Sequence, residues 1–504
     1  MKFHKQYKYL MLLFVFSSSN ILYSQINFPY TQSFLSNSAP SDTFWEKSGS
    51  ADWTVNGLRL TNAGSQFGSG VLNGASYDFT NGFEISFEFT LFEGAPYDGV
   101  YGDGFTFFLF DGSKNLSLGA AGRGLGYTRG DSSSQGLDGA YLGIGFDVFG
   151  NFKGYITNRN GFANGVFSGA NGQNHITIRG AHRSTTTVAD QRTSGYPILF
   201  TTTTSGNNEG RKSAIKNFNG TDYTIYEGRG LGNNFTPFTL RSSNITQSTT
   251  SPDYRKATIS LLPRSGGGYR ITVKVQAGNE VRTIVENYQY RSGDISYKEG
   301  SIASNGEASG TDRTISGDVP STFKMGFAGA TGGASQTQYI RNVRITLPFM
   351  HEASEDSAKI CKSVPASFVE LFPFSNDKFY NGPLTGIPTH GNTTTHINYN
   401  RFQFSTASDT PLGGTGLGNK SHTQNGIGTW EYTASNGKVK FTPVYGFVGK
   451  AEIYYTAVGV NTNNGPFHQE IYRSEPAKIT VEVLPCGGVV NPQIPSGGVS
   501  RSGK

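Results

Sequence analysis

The stretch Tyr141–Asn151, YLGIGFDVFGN, decides the fold. Leu142, Ile144, Phe146 and Val148 alternate with smaller or polar residues, the period of a strand with one buried face. Gly143, Gly145, Asp147 and Phe149 occupy the other face, and Asn151 continues just past its end. The two glycines leave that face open to another backbone or a ligand. A carboxylate, an amide carbonyl and a main-chain carbonyl are the oxygen donors calcium prefers. The same carboxylate and amide can hydrogen-bond sugar hydroxyls, and a ring such as Phe149 covers the apolar face of a pyranose. The plain alternative is a strand-end turn built on Asp147 and Asn151, as Asx residues commonly make.

Outward from this strand the chain is a series of similar signals. WTVNGLRLT (Trp53–Thr61) carries Asn56-Gly57 between apolar flanks, a hairpin cue. FEISFEFTL (Phe83–Leu91) alternates cleanly, with Glu84, Ser86, Glu88 and Thr90 on a face expected to be half exposed. GDGFTFFLFDG, NHITIRG, RKATISLL, YRITVKVQAG and FKMGFAGATGG follow as further strands. So many strands predict two large antiparallel sheets packed face to face. The polar stretch from Ala181 to Asp253 has less pattern and reads as a decorated insertion or loop region.

Composition supports the all-β class. The 504 residues exceed one average domain. Charged residues make up 15%, against about 25% in typical domains, while aromatics reach 13% and glycines number 67. That mixture favours strands joined by tight turns. Lys2, Lys5 and Lys8 precede an apolar run from Tyr9 to Phe16 and a short polar stretch, the plan of a secretory signal peptide over 1–24 with cleavage near Ser24–Gln25. Removing its three lysines takes the formal charge from +6 to +3. The remaining basic residues are scattered, so no nucleic-acid partner is expected. No later segment reaches the roughly 20 apolar residues of a membrane helix.

Two cysteines, Cys361 and Cys486, bracket a second unit; an exported protein permits either a disulfide or two thiols there. No G-x-S-x-G or H-E-x-x-H motif occurs. A sugar hydrolase needs two carboxylates flanking one bond. Glu84 and Glu88 lack the intervening Asp of the E-x-D-x-E strands common in jelly-roll glucanases.

In order and spacing, GDGFTFFL (Gly102–Leu109), LGIGFDVFGN and NHITIRG resemble an L-type, or legume-type, lectin domain, most closely its bacterial members. LRLTNAGSQFGSGVL (Leu58–Leu72) and FKMGFAGATGG (Phe323–Gly333) resemble its early and late segments, so the resemblance spans Ile26–Leu347. It implies a concanavalin A-like jelly-roll β-sandwich. Asp103, after a cis peptide bond to Gly102, would accept hydrogen bonds from sugar hydroxyls. Asn151 would serve both sugar and calcium, and Phe149 would stack on the sugar and lend its carbonyl to the ion. Asp147 would be the calcium carboxylate, and Gly124 in GAAGRGLGY (Gly119–Tyr127) would offer a backbone N–H. Sugar specificity would lie in loops such as Ala328–Thr337.

The departures limit the metals. Gly145 stands where the family has its transition-metal Glu, so that metal is not expected and His175 reads as a structural remnant. No Asp follows Asn151 at the expected distance; Asn158 is the substitute oxygen donor, and calcium is the one ion the resemblance still implies.

HEASEDS (His351–Ser357) falls in a linker, 348–360. Beyond it, 361–486 resembles Ig-like repeats of bacterial surface adhesins through Gly428–Tyr432, Val439–Pro443, Phe447–Gly449 and Ser474–Val483, with Trp430 and Phe441 in its core; 487–504 reads as a flexible tail. The expectation is an exported or cell-surface glycan-binding head, 25–347, on a smaller Ig-like β-sandwich, without catalysis. The alternatives are a structural adhesin with a protein partner and a glycoside hydrolase of the same fold.

Overall fold

The computed structural model describes residues 24–25, 28–129, 135–153, 174–182, 195–205, 215–218, 221–224, 236–299, 311–361, 367–386, 388–412, 420–461 and 465–485. Two eight-stranded sheets form the larger unit. The first runs Ser24–Gln25, Phe67–Tyr77, Phe323–Ala330, Gly104–Asp111, Ala140–Asp147, His175–Arg179, Ile198–Thr203, with Trp45–Gly49 also on Phe67–Tyr77. The second runs Glu280–Arg291, Gly268–Ala277, Arg255–Pro263, Phe83–Phe92, Thr337–Thr346, Gly57–Thr61, Asp52–Thr54, with Tyr30–Gln32 on Thr337–Thr346. Strands late in sequence are inserted between early ones in both sheets, which makes the sandwich a jelly roll. The fold is the all-β class that the alternating runs predict.

The core lies between the sheets because each contributes one apolar face. Leu142, Ile144, Phe146 and Val148 all enter it. At its centre the Phe87 ring has the rings of Phe105, Phe107, Phe146 and Phe327 at 4.8 to 6.2 Å, mostly edge-on or tilted, the arrangement aromatic quadrupoles favour.

The outer face of the first sheet departs from expectation. Every residue of Ala140–Asp147 is buried. A Cβ added at Gly143 would lie 2.7 Å from the Tyr127 ring, and one at Gly145 would lie 2.4 Å from the Phe152 ring. The glycine face is therefore occupied by the chain's own aromatics, within a second apolar cluster that includes Phe108, Phe110, Leu125 and Tyr196.

A similar covering buries the far half of the Phe83–Phe92 polar face. Glu88 and Thr90 are buried, and Glu88 pairs with the buried Arg341 at 2.9 Å while accepting from Tyr254 Oη at 3.1 Å. Part of the polar stretch read as an insertion supplies this cover: Ser242 N–H donates to Leu91 O at 2.8 Å, and Thr246 O accepts from Arg341. From the same stretch, Ile198–Thr203 joins the first sheet and Ile215–Phe218 pairs with Thr221–Thr224.

The smaller unit is a sandwich of two four-stranded sheets. Trp430 is fully buried 4.3 Å from the Phe441 ring. Its first strand, Asp356–Cys361, begins inside the segment read as a linker and runs parallel to Ala477–Leu484. The strand was masked by its acidic and polar positions, while Ala358 and Ile360 alternate inward. His351 is likewise buried: its Nε2 lies 2.8 Å from Phe467 O, and Nδ1 accepts from Tyr380 N–H. Cys361 is in disulfide linkage; Cys486 lies outside the described residues.

Asp356 and Asp377 meet at Tyr455, whose hydroxyl donates to Asp377 Oδ2 at 2.8 Å. Burial raises both carboxyls above their ordinary value of 3.8, and the charge of Asp377 raises Asp356 further. Groups whose folded pKa is raised contribute stability that is complete below the unfolded pKa and lost as pH climbs through the folded one. Asp356→Asn should therefore melt near the wild type in acid, gain on it from about pH 4 to about pH 8 and keep a constant advantage beyond, as read by circular-dichroism melts across pH. A melting difference independent of pH would contradict this.

Candidate functional site

Gly104 pairs with Asp147 across adjacent antiparallel strands, so Asp103 and the turn after Asp147 emerge at the same end of the first sheet. The Gly102–Asp103 peptide bond is cis, as the lectin resemblance implies. Asp103 N–H donates to Ala330 O at 3.0 Å, and Asp103 O accepts from Val148 N–H and Phe149 N–H at 2.9 and 3.0 Å. Two chain segments are thus fixed to one residue's main chain.

Asp103, Phe149 and Asn151 line one open depression of about 230 Å³, together with Tyr97, Gly333 and Ala334. Phe149 sits over Gly102, where an added Cβ would come within 3.0 Å of it. The Asn151 Oδ1 is buried with no hydrogen-bond partner among the described residues. Cβ atoms added at Gly122 or Gly332 would each lie 3.9 Å from Asp103 Oδ2, so the carboxylate is flanked by positions without side chains.

Gly124 is placed differently. It is buried, and its N–H donates to Ala121 O at 3.3 Å. Within that loop it is Gly122 that faces Asp103.

Tyr97 was not singled out in the sequence. It is 56% exposed and held by reciprocal main-chain hydrogen bonds with Val100 at 2.8 and 3.0 Å. Its ring lies beside Gly333, where an added Cβ would be 3.1 Å from Cδ2. The available signal was an aromatic in the Gly- and Asp-rich run before Asp103. Gly333 and Ala334 fall in the loop Ala328–Thr337, which was read as a specificity element.

Asp147 stands behind the depression and is fully buried. Its Oδ1 accepts from Gly150 N–H at 2.8 Å and its Oδ2 from Phe152 N–H at 2.6 Å. This is the strand-end turn that Asx residues form. Burial pushes its pKa up to about 7, against the opposing pull of those two N–H groups.

Calcium takes six to eight oxygen ligands. Here both oxygens of the expected carboxylate already serve main-chain donors, and the charge of the buried Lys153 acts on that carboxylate. Among the described residues no group of three or more His, Cys, Asp or Glu could hold an ion. Among the described residues, these oxygens do not complete the ligand set of a hard divalent cation. At the transition-metal position, the Phe152 ring fills the space beside Gly145 and His175 contacts Lys153. Asn158 lies outside the described residues.

No protein-family model matches the sequence, and no curated protein matches it. Similar solved structures include the exoplasmic/lumenal domain of VIP36 in its Ca2+/Man3GlcNAc-bound form (15% identity, 63% of this chain, 90% of that chain, TM-score 0.32). Others are the potassium-bound carbohydrate recognition domain of Emp46p (11%, 63%, 95%, 0.32) and the metal-free lectin I-B4 from Griffonia simplicifolia (14%, 63%, 98%, 0.32). The chemistry of the site rests on this chain's own geometry.

Asp147→Ala would leave the N–H groups of Gly150 and Phe152 without their acceptor. Each such loss costs roughly 1–3 kcal/mol, so urea unfolding should show about 2–6 kcal/mol of destabilisation. Asp147→Asn, which keeps one acceptor, should lose less.

Proposed function

We propose that this chain is an exported, non-catalytic carbohydrate-binding protein: a lectin-type head carried on a smaller Ig-like spacer, with a glycan as its partner outside the cell. The observation that carries the reading is the convergence of Asp103, Asn151, Phe149 and Tyr97 on one shallow depression. A carboxylate and an amide set between two aromatic rings suit a pyranose, whose hydroxyl edge needs acceptors and whose C–H face needs apolar cover. The Asp103 carboxylate accepts from sugar hydroxyls, and the absence of side chains at Gly122 and Gly332 lets a ring approach it. Asn151 Oδ1, already desolvated and with no hydrogen-bond partner among the described residues, gains most from a hydroxyl donor.

A hydrolytic reading is less well supported. Asp147, beside Asp103, is fully buried with both oxygens engaged, so it cannot flank a scissile bond. Glu84 accepts from Ser260 Oγ, and Glu88 is paired with Arg341. Export follows from the basic and apolar pattern of the first 24 residues.

A glycan array should give a defined set of positives for the purified chain. Asp103→Ala and Asn151→Ala should abolish binding while melting like the wild type, and Tyr97→Ala should weaken it roughly tenfold. Reducing-sugar release from the positives would instead identify a hydrolase. An array without positives, with binding only to protein, would identify the adhesin alternative.

A further inference from the structure

Lys153 closes the turn that presents Phe149 and Asn151, and it is fully buried. An ammonium removed from water costs several kcal/mol unless it is compensated, and lysines are almost never fully buried without partners. The Lys153 Nζ lies 2.9 Å from His175 Nε2. With Lys153 as an ammonium, which has no acceptor, His175 accepts at Nε2 and carries its proton on Nδ1, 3.5 Å from Thr201 Oγ1. His175 is also the register partner of Asp147 on the neighbouring strand. Of the two charges acting on the Asp147 carboxylate, that of Asp103 opposes its ionisation and that of Lys153 favours it.

The adjoining space carries a second internal cation. Arg179 is fully buried, donates through Nε to Phe152 O at 3.0 Å and through Nη1 to Tyr196 O at 2.7 Å, and lies 5.0 Å from the Phe152 ring centroid. The main chain from Asp147 to Lys153 is therefore held by the carboxylate at one end, the ammonium and imidazole at the other, and the guanidinium on the carbonyl between. The charge of Lys153 thus acts on Asp147 from its place beside His175, with no bound ion required.

We propose that Lys153 is the built-in cation of this site: its ammonium does for the Asp147 turn what a bound divalent ion would do, so that Phe149 and Asn151 are positioned without metal. Lys153 is a positioning residue in this account, set behind the depression and acting through the turn. The inference deepens the glycan reading, but its first test is independent of any glycan.

The purified full chain is dialysed and assayed for metal by mass spectrometry, then melted in EDTA, in calcium chloride and in manganese chloride. No stoichiometric metal and one unchanged Tm are expected. Glycans positive on the array should bind equally with EDTA. Lys153→Met should lower the Tm and weaken that binding by more than tenfold. Lys153→Asp, which puts a second carboxylate beside Asp147, should melt low in EDTA and regain stability in calcium, a rescue that simple loss of packing would not give. One equivalent of retained calcium, a calcium-dependent rise in the wild-type Tm, a Lys153→Met protein that melts like the wild type, or equal melting of Lys153→Asp with and without calcium would each overturn the proposal. If no glycan binds in either buffer, the glycan reading fails, while metal content and Tm still decide the role of Lys153.

Discussion

A carboxylate removed from water must have its oxygens satisfied, and Asp147 meets that constraint with the chain that follows it. Its two oxygens take the N–H groups of Gly150 and Phe152. Those hydrogen bonds bend the backbone out of the strand within three residues and turn Phe149 and Asn151 toward the end of the sandwich. The Asp103 carbonyl fixes the same turn from the other side by accepting from Val148 and Phe149. The depression is thus a by-product of how one buried anion is accommodated.

The glycines of the opening strand serve this arrangement indirectly. Gly143 and Gly145 admit the Tyr127 and Phe152 rings against the outer face of the sheet. Phe152 is also one of the residues whose N–H reaches Asp147, so the ring's burial and the turn's hydrogen bond reinforce each other. A side chain at 145 would displace the ring and the hydrogen bond together. Packing and polar satisfaction are coupled here, and neither stands alone.

Much of this was legible along the chain because period-2 alternation is a local signal. The strands around Phe87, Phe107 and Phe146 declare their inward faces in sequence, and the Asn56-Gly57 cue marks the hairpin between Asp52–Thr54 and Gly57–Thr61. Asp103, Phe149 and Asn151, which line one depression, were legible as candidates because they lie just outside strand ends with recognisable spacing. Tyr97 and Lys153 were not, since an exposed tyrosine in a turn and a lysine after a strand resemble ordinary surface residues. The covered glycine face and the buried Glu88–Arg341 pair were missed because their covering segments, around Tyr127, Phe152 and 236–254, are weakly patterned, and 236–254 is also distant in sequence from Glu88. The strand Asp356–Cys361 was hidden because half of its alternation is acidic or polar.

The sequence by itself determined an all-β chain, the inward set of each main strand, and a carboxylate, ring and amide at the end of one of them. Hydrophobic alternation acts residue by residue, so it can be read without knowing the partners. Only the tertiary structure decided what lay against the other face of that strand. Whether Asp147 meets a metal, water or the chain's own donors depends on residues brought together by folding. Folding brings to it the main-chain N–H groups of Gly150 and Phe152.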